Sequence, residues 1–301
     1  MSAHVLEGAE GQRRSEGIAP LYPLVYEDVV RRALVEDLGR AGDLTSDAVI
    51  PSDRRAQAVL VARKSGVVAG LDVAASAFRW LDPELAVKLT TSDGTRVGEG
   101  TILADIAGPA RSLLSAERTA LNFLGHLSGI ATVTRGIVDS IAGSGARVVC
   151  TRKTTPGLRA LEKHAVRCGG GSNHRFGLDD AVMIKDNHRL VAGGLSAAVD
   201  RVRGRVGHMV KIEVEVDTLE QLDEALALDV DVVLLDNMGP DRLREAVARI
   251  RSSGRAVVSE ASGGITPETA PAIAATGVDL LSVGWITHSA PNLDVALDVT
   301  L

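Results

Sequence analysis

Aromatic side chains are scarce in this chain: three Phe, two Tyr and two Trp, 2% of 301 residues. A core must therefore be filled with Ala, Val, Leu and Gly, a mix that suits close packing of helices on a sheet in an α/β protein. Cysteine is equally rare. Cys150 and Cys168 are the only two, and they form no metal-type spacing, so they read as two reduced thiols of a cytoplasmic protein. No apolar run reaches the ~18 residues of a membrane span, and the N-terminal stretch has no uninterrupted apolar core of a secretory signal. Positive charge is also short. The formal net charge of −6 argues against nucleic acid or an anionic membrane as partner, and leaves room for an anionic ligand only where cations gather locally.

What is present is a long chain with 45% hydrophobic residues, enough for about two domains. Residues 1–20 are polar, small and aperiodic and read as a disordered tail. A helix is expected from Val25 to Leu38, with Val29, Val30, Ala33 and Leu34 on one side. Ala56–Arg63 and Ala86–Thr91 read as strands around a helix over Leu71–Leu81, punctuated by Gly66, Gly70, Asp93-Gly94 and Gly98. Ser115 to Ile141 reads as a long helical stretch, with a break near Gly129 as one option.

From there the pattern turns regular. Short apolar runs cover Arg147–Cys150, Ala181–Ile184, Val210–Val216, Asp231–Leu235, Ala256–Ser259 and Asp279–Val283. A helical segment follows each. The one after the third opens Asp217-Thr218-Leu219-Glu220, a capping-box spacing. Successive βα units imply a parallel sheet. No Gly-x-Gly-x-x-Gly follows the first run, so a dinucleotide-binding open sheet is disfavoured. Polar residues at nearly every strand end favour a barrel, where those ends converge on one face.

Five features carry candidate chemistry. Thr151-Arg152-Lys153 ends the first run and places two cations where a polyanionic ligand would sit, although a solvated basic loop would read the same. Cys168-Gly169-Gly170-Gly171-Ser172-Asn173-His174-Arg175 combines backbone freedom with a polar cluster. Lys185 follows the second run as a phosphate ligand, a Schiff-base nucleophile or an ion-pair partner. Glu215 and Asp236 end the next two runs, where carboxylates hold ribose hydroxyls or Mg²⁺, or simply cap helices. The late turns Ser262-Gly263-Gly264 and Ser282-Val283-Gly284 expose backbone N–H groups of the kind that cradle phosphate. Taken together these describe one pocket for multiply anionic ligands.

Longer strings carry a resemblance. Thr151-Arg152-Lys153-Thr154…Pro156-Gly157-Leu158-Arg159, Lys163…Ala165-Val166-Arg167-Cys168-Gly169-Gly170-Gly171…Asn173-His174-Arg175 and Ile184-Lys185-Asp186-Asn187-His188 look like the quinolinate phosphoribosyltransferases. Glu36-Asp37…Gly42-Asp43-Leu44-Thr45, Ser115 to Asn122, Glu213-Val214-Glu215-Val216, Leu235-Asp236-Asn237-Met238 and Glu260 to Gly264 fit as well. The likeness runs from about Tyr26 to the C-terminus.

The resemblance implies an N-terminal α/β sandwich over 21–130, rejoined by 290–301, and an incomplete α/β barrel over 131–289. It implies a homodimer whose N-terminal domain caps the neighbour's barrel. The implied reaction joins quinolinate and phosphoribosyl pyrophosphate, with Mg²⁺, to give nicotinate mononucleotide, pyrophosphate and CO₂. By the same likeness Arg152, His174 and Arg175 bind the quinolinate carboxylates, with Arg118 from the neighbouring subunit. Lys153 and Lys185 meet substrate and pyrophosphoryl oxygens, and Thr151 lies with them. Glu215 and Asp236 address ribose and Mg²⁺, and the late turns at Ser262, Gly263, Gly264, Ser282, Val283 and Gly284 hold the 5′-phosphate. Two departures stand out: Cys150 where an acid is expected and His164 where a tyrosine is expected. The rivals are a barrel aldolase using Lys185, a non-catalytic anion-binding protein, and the related molybdenum-transport-associated paralogue.

Overall fold

The computed structural model describes residues 18–300, so the tail expected over 1–20 lies, except for its last three residues, outside the described residues. The N-terminal part contains α1 (Glu27–Leu38), α2 (Leu44–Val49), β1 (Arg55–Ala62), β2 (Gly66–Val67), α3 (Leu71–Leu81), β3 (Ala86–Leu89), β4 (Arg96–Val97), β5 (Ile102–Pro109) and α4 (Ala110–Ser140). Asp43 caps α2 by accepting the N–H groups of Thr45 and Ser46. Asp93 does the same for α3, accepting from Gly70 N–H at 2.9 Å and Leu71 N–H at 3.0 Å. Asp93 also meets His164 Nε2 at 2.8 Å. The histidine that departs from the expected tyrosine thus ties a barrel helix to the N-terminal domain.

Helix α4 is one unbroken helix from Ala110, not two helices starting at Ser115. Gly129 does not end it, because its missing side chain is filled by another segment. A Cβ there would fall 2.1 Å from the Pro291 carbonyl oxygen. One turn earlier the Gly125 carbonyl accepts the Leu293 N–H at 2.9 Å. Spaced i, i+4, the two glycines put backbone on one helix face, and the returning chain crosses there. Fully buried Leu113, Leu124, Leu127, Ile130 and Ile137 anchor the rest of α4, each contributing ~1.5–3 kcal/mol on burial. That outweighs the ~1 kcal/mol a helical glycine costs.

The barrel part runs β6 (Arg147–Val149), α5 (Arg159–Cys168), β7 (Val182–Ile184), α6 (Asp186–Ala192), α7 (Leu195–Arg203), β8 (Ile212–Val216), α8 (Leu219–Ala227), β9 (Val232–Asp236), α9 (Pro240–Ser252), β10 (Val258–Ser262), α10 (Ala270–Ala274), β11 (Leu280–Ser282) and α11 (Trp285–His288). Its six parallel strands are ordered β6-β11-β10-β9-β8-β7. The first and last strands are therefore neighbours, while the first and second are not. That is a barrel left open beside β7. Ser172 partly fills the gap through a parallel bridge to Val149. The last strand, β12 (Val295–Thr300), leaves the barrel and joins the N-terminal antiparallel sheet in the order β12-β1-β5-β3. Helix α4 runs straight through residue 130, the boundary expected between the two domains.

One capping detail differs from the sequence reading. Thr218 Oγ1, not Asp217, caps α8 by accepting the Gln221 N–H at 3.3 Å. Gln221 Oε1 reaches back to the Asp217 N–H at 2.8 Å. The box is shifted by one residue because β8 runs through Val216 and places Thr218, not Asp217, at the helix entry.

Candidate active site

The C-terminal ends of the six barrel strands surround a cavity of about 710 Å³. Thr151, Arg152 and Lys153 enter it after β6, His174 and Arg175 after the glycine stretch, and Lys185 after β7. Glu215 and Asp236 end β8 and β9, and the turns at Ser262-Gly263-Gly264 and Ser282-Val283-Gly284 close the far side. Every expected barrel residue lines this one cavity. Arg118 does not. It is exposed on α4 and lines a separate cavity of about 470 Å³ with Glu36, Asp37, Asn122, His126 and Thr155.

The cationic wall is held from behind. Lys153 N–H donates to Thr151 Oγ1 at 3.0 Å, and its carbonyl accepts Thr287 Oγ1–H at 2.7 Å. Fully buried Glu162 on α5 accepts the Thr155 N–H at 3.1 Å and meets His126 Nε2 of α4 at 2.9 Å. The loop carrying Arg152 and Lys153 is thus pinned to helices of both parts of the chain. Arg152 Nε is buried without a hydrogen-bond partner among the described residues, an orphaned donor that an anionic ligand would satisfy. Arg175 donates to the Ala181 carbonyl at 2.8 Å. Burial first, and then the charge of Arg152, lowers its pKa.

Lys185 Nζ lies 2.5 Å from Glu215 Oε2. The amine is therefore taken up by a carboxylate, unlike the free amine that a Schiff-base nucleophile requires. Asp236 Oδ2 accepts from Asn237 Nδ2 at 2.6 Å. In both carboxylates the other oxygen makes no hydrogen bond among the described residues. Two acids with free oxygens at the edge of this cavity suit a hard cation such as Mg²⁺, which takes one or two carboxylates and completes its shell with water and phosphate oxygens.

The small-residue turn is sterically determined. Gly263 and Gly264 have φ of 100° and 57°, a region that favours glycine. A Cβ on Gly263 would meet Asn237 Oδ1 at 2.1 Å. Asn237 itself has φ of 55° and donates its N–H to the Ser262 carbonyl at 2.9 Å. Trp285 Nε1–H donates to the Ile265 carbonyl at 2.9 Å and fixes the end of the turn. The turn thereby brings bare backbone to the cavity, as phosphate binding needs.

Beneath this level lies a group to which the sequence reading assigned no role. Buried Glu213 and Glu260 meet His174, whose Nε2 is 3.0 Å from Glu213 Oε2 and 3.6 Å from Glu260 Oε1. His174 Nδ1 accepts the Arg175 N–H at 2.8 Å, so the ring proton belongs on Nε2, facing the two acids. Burial pulls the imidazole pKa down, but the two carboxylates outweigh it and the value is raised. A signal for these acids was present. Glu213 and Glu215 are two apart on one strand, as are Glu260 and Ser262, so each pair shares a face. Trp285 and His288 also line the cavity, and no spacing in the sequence marks them.

The chain is similar to known proteins along nearly its whole length. The C-terminal domain family of quinolinate phosphoribosyl transferase matches residues 130–298, and its N-terminal domain family matches residues 43–128. The nicotinate-nucleotide pyrophosphorylase [carboxylating] of Mycobacterium leprae is 45% identical over 277 residues, 90% of this chain and 96% of its own. A probable enzyme of the same name from Bacillus subtilis is 44% identical over 278 residues, covering 92% and 94%. The solved structure of the nicotinate-nucleotide pyrophosphorylase from Francisella tularensis superposes with a TM-score of 0.89 at 38% identity, covering 95% of this chain and 100% of that one. NadC from Streptococcus pyogenes has the same score and identity, with 94% and 99% covered. With both domain families matched in order along one chain, this protein belongs to the quinolinate phosphoribosyltransferase family.

Proposed function

We propose that the barrel cavity joins quinolinate to phosphoribosyl pyrophosphate, giving nicotinate mononucleotide, pyrophosphate and CO₂, the carboxylating nicotinate-nucleotide pyrophosphorylase reaction of NAD synthesis. The observation that carries this reading is the convergence of Arg152, Lys153, Arg175 and Lys185 with two carboxylates and a glycine turn in one cavity. The pyridine nitrogen is already nucleophilic, so the chain has no covalent nucleophile to supply. Its work is positioning and electrostatics. Arg152 and Arg175 fix the dicarboxylate. Glu215 and Asp236 face the ribose, where positive charge builds as C1 loses pyrophosphate. Lys153 and Lys185 take the negative charge of the leaving group. Glu215 and Asp236 would hold Mg²⁺, which supplies charge neutralisation to pyrophosphate oxygens. The backbone of the Ser262 and Ser282 turns receives the 5′-phosphate.

The same reading makes the working unit a homodimer. Arg118 is exposed, has no ion pair among the described residues and stands outside its own barrel cavity. In a two-fold assembly it serves the partner's cavity as the third arginine for the dicarboxylate. The reading places the protein in the cytoplasm, where its two buried thiols, Cys150 and Cys168, stay reduced. Incubating the purified protein with quinolinate, phosphoribosyl pyrophosphate and Mg²⁺ should yield nicotinate mononucleotide with one pyrophosphate and one CO₂ per turnover. A protein that binds quinolinate tightly and forms no mononucleotide would overturn the reading.

A further inference from the structure

The reaction assigned above, on which this inference rests, needs a proton delivered to a carbon of the pyridine ring. When the C2 carboxylate leaves as CO₂, its electron pair stays on C2 of the pyridinium ring, and C2 must gain a proton. We propose that Glu260 is the acid that delivers it.

Three observations carry the assignment. Glu260 lines the cavity and is 1% exposed. Its Oε1 has no hydrogen-bond partner among the described residues and lies 3.6 Å from His174 Nε2. It sits two residues before Ser262 on β10, on the same face of the strand and so ~6.6 Å deeper in the barrel than the phosphate turn. Two buried carboxylates crowd one imidazole there, and the imidazole's proton goes to Glu213, the nearer acid at 3.0 Å. Burying two carboxyl groups side by side disfavours charge on both, and Glu260, the one farther from the imidazole N–H, keeps its proton. Burial first, and the Glu213 charge second, raise its pKa to about 7.

Among the described residues no lysine or arginine pairs with Glu260, and His174 at 3.6 Å is the basic group against it, working to lower its pKa. Glu213 faces it from β8, His174 from the glycine-stretch segment and Ser282 from β11. The β9 residue opposite it in register is Leu234. Lys163 of α5 is nearby only through the His174 carbonyl, which it binds at 2.9 Å. In the step itself the C2–carboxylate bond breaks, CO₂ leaves, C2 takes the Glu260 proton and the resulting carboxylate regains a proton from water when product departs. A positioned acid of pKa near the working pH contributes ~10²–10⁴-fold to such a transfer.

The test separates the two halves of the reaction. Single-turnover experiments with quinolinate, phosphoribosyl pyrophosphate and Mg²⁺ follow pyrophosphate and CO₂ independently, with mass detection of the carboxylated mononucleotide. In Glu260→Gln, a neutral isostere of the protonated acid, the ratio of CO₂ to pyrophosphate release should fall ~100-fold or more, and the carboxylated mononucleotide should accumulate. In the unaltered protein the same ratio should fall as pH rises through about 7, a readout that stands even if the variant folds poorly. A one-to-one ratio in Glu260→Gln, or a ratio flat with pH, would overturn the role of Glu260 while leaving the reaction intact. Release of neither product by the unaltered protein would overturn the assigned reaction, and the acid with it.

Discussion

Lys163 Nζ lies 3.1 Å from Cys150 Sγ, with both residues buried inside the barrel wall. The same ammonium donates to the His174 carbonyl at 2.9 Å. The cysteine found where an acid was expected is therefore the partner of a buried lysine that holds the segment entering the active site. Its thiol does not line the cavity, and Cys168 is a buried thiol whose pKa burial pushes up.

Both thiols should therefore be dispensable to the chemistry. Changing Cys150 and Cys168 together to Ser should leave turnover within about tenfold, ~1.4 kcal/mol in barrier. Lys163→Ala should behave otherwise. It strands the His174 carbonyl in the interior and should cost about 1–3 kcal/mol of stability. Denaturant unfolding and steady-state turnover of the variants check both statements, and complete inactivity of a well-folded double serine variant would contradict the first.

Nicotinate should be a much poorer substrate than quinolinate. Arg152 Nε is buried without a partner, and Arg175 stands beside it in the same cavity. A ligand with one carboxylate leaves one of these guanidinium groups unpaired, a penalty of about 2–5 kcal/mol. Comparing kcat/KM for the two acids reads this directly, and similar values would count against the dicarboxylate site.

The shared-site dimer can be checked by complementation. Arg118→Ala and Arg175→Ala should each be nearly inactive alone, since each removes a charge-assisted contact to a carboxylate. After subunit exchange, a heterodimer has one cavity with both defects and one with neither. Mixing should restore about a quarter of the parent activity by counting cavities. A mixture that stays inactive despite demonstrated exchange would mean that Arg118 does not act across the interface.

Asp279 should give the fold a measurable acid limb. Its carboxylate accepts the Ser259 N–H at 2.8 Å and the Ser259 hydroxyl at 2.6 Å, and pairs with Arg251 at 2.7 Å. Burial works to raise its pKa, but the Ser259 bonds and Arg251 outweigh it and the value is lowered. Stability from a depressed carboxylate is complete above its unfolded pKa of ~3.9 and is lost as pH falls through the lower folded value. Asp279→Asn should cost about 1 kcal/mol near neutrality, after allowing for solvent screening at a half-buried site. The two proteins should converge in strong acid. Thermal melts across pH would test this, and a constant difference down to pH below both values would show that the charge is not the cause.

Much of this molecule was legible as periodicity. The helix over Leu71–Leu81 has the same ends in sequence and structure. All six barrel strands fall on the apolar runs, shifted by a residue or two, with the last part of β10 reaching beyond its run to Ser262. The cap at Thr218 was misplaced by one residue because two candidate capping residues are adjacent, and only the end of β8 decides between them.

By itself the sequence determined what lies within a few residues along the chain. It specified the alternation of strand and helix, the charges at strand ends and the motif from Arg152 to Arg175, since backbone period and turn chemistry are local. Tertiary structure decided what depends on strand order and on crossings between distant segments. It placed β6 beside β11 and so drew the separate strand ends around one cavity. It made Gly129, one option for a helix break, into the groove for Pro291, and left Arg118 outside the cavity of its own barrel. It also stacked Glu213 and Glu260, 47 positions apart in the numbering (260 − 213), against one histidine. No local pattern encodes that meeting, because it is the order and register of the strands between them that bring the two carboxylates to one depth in the barrel.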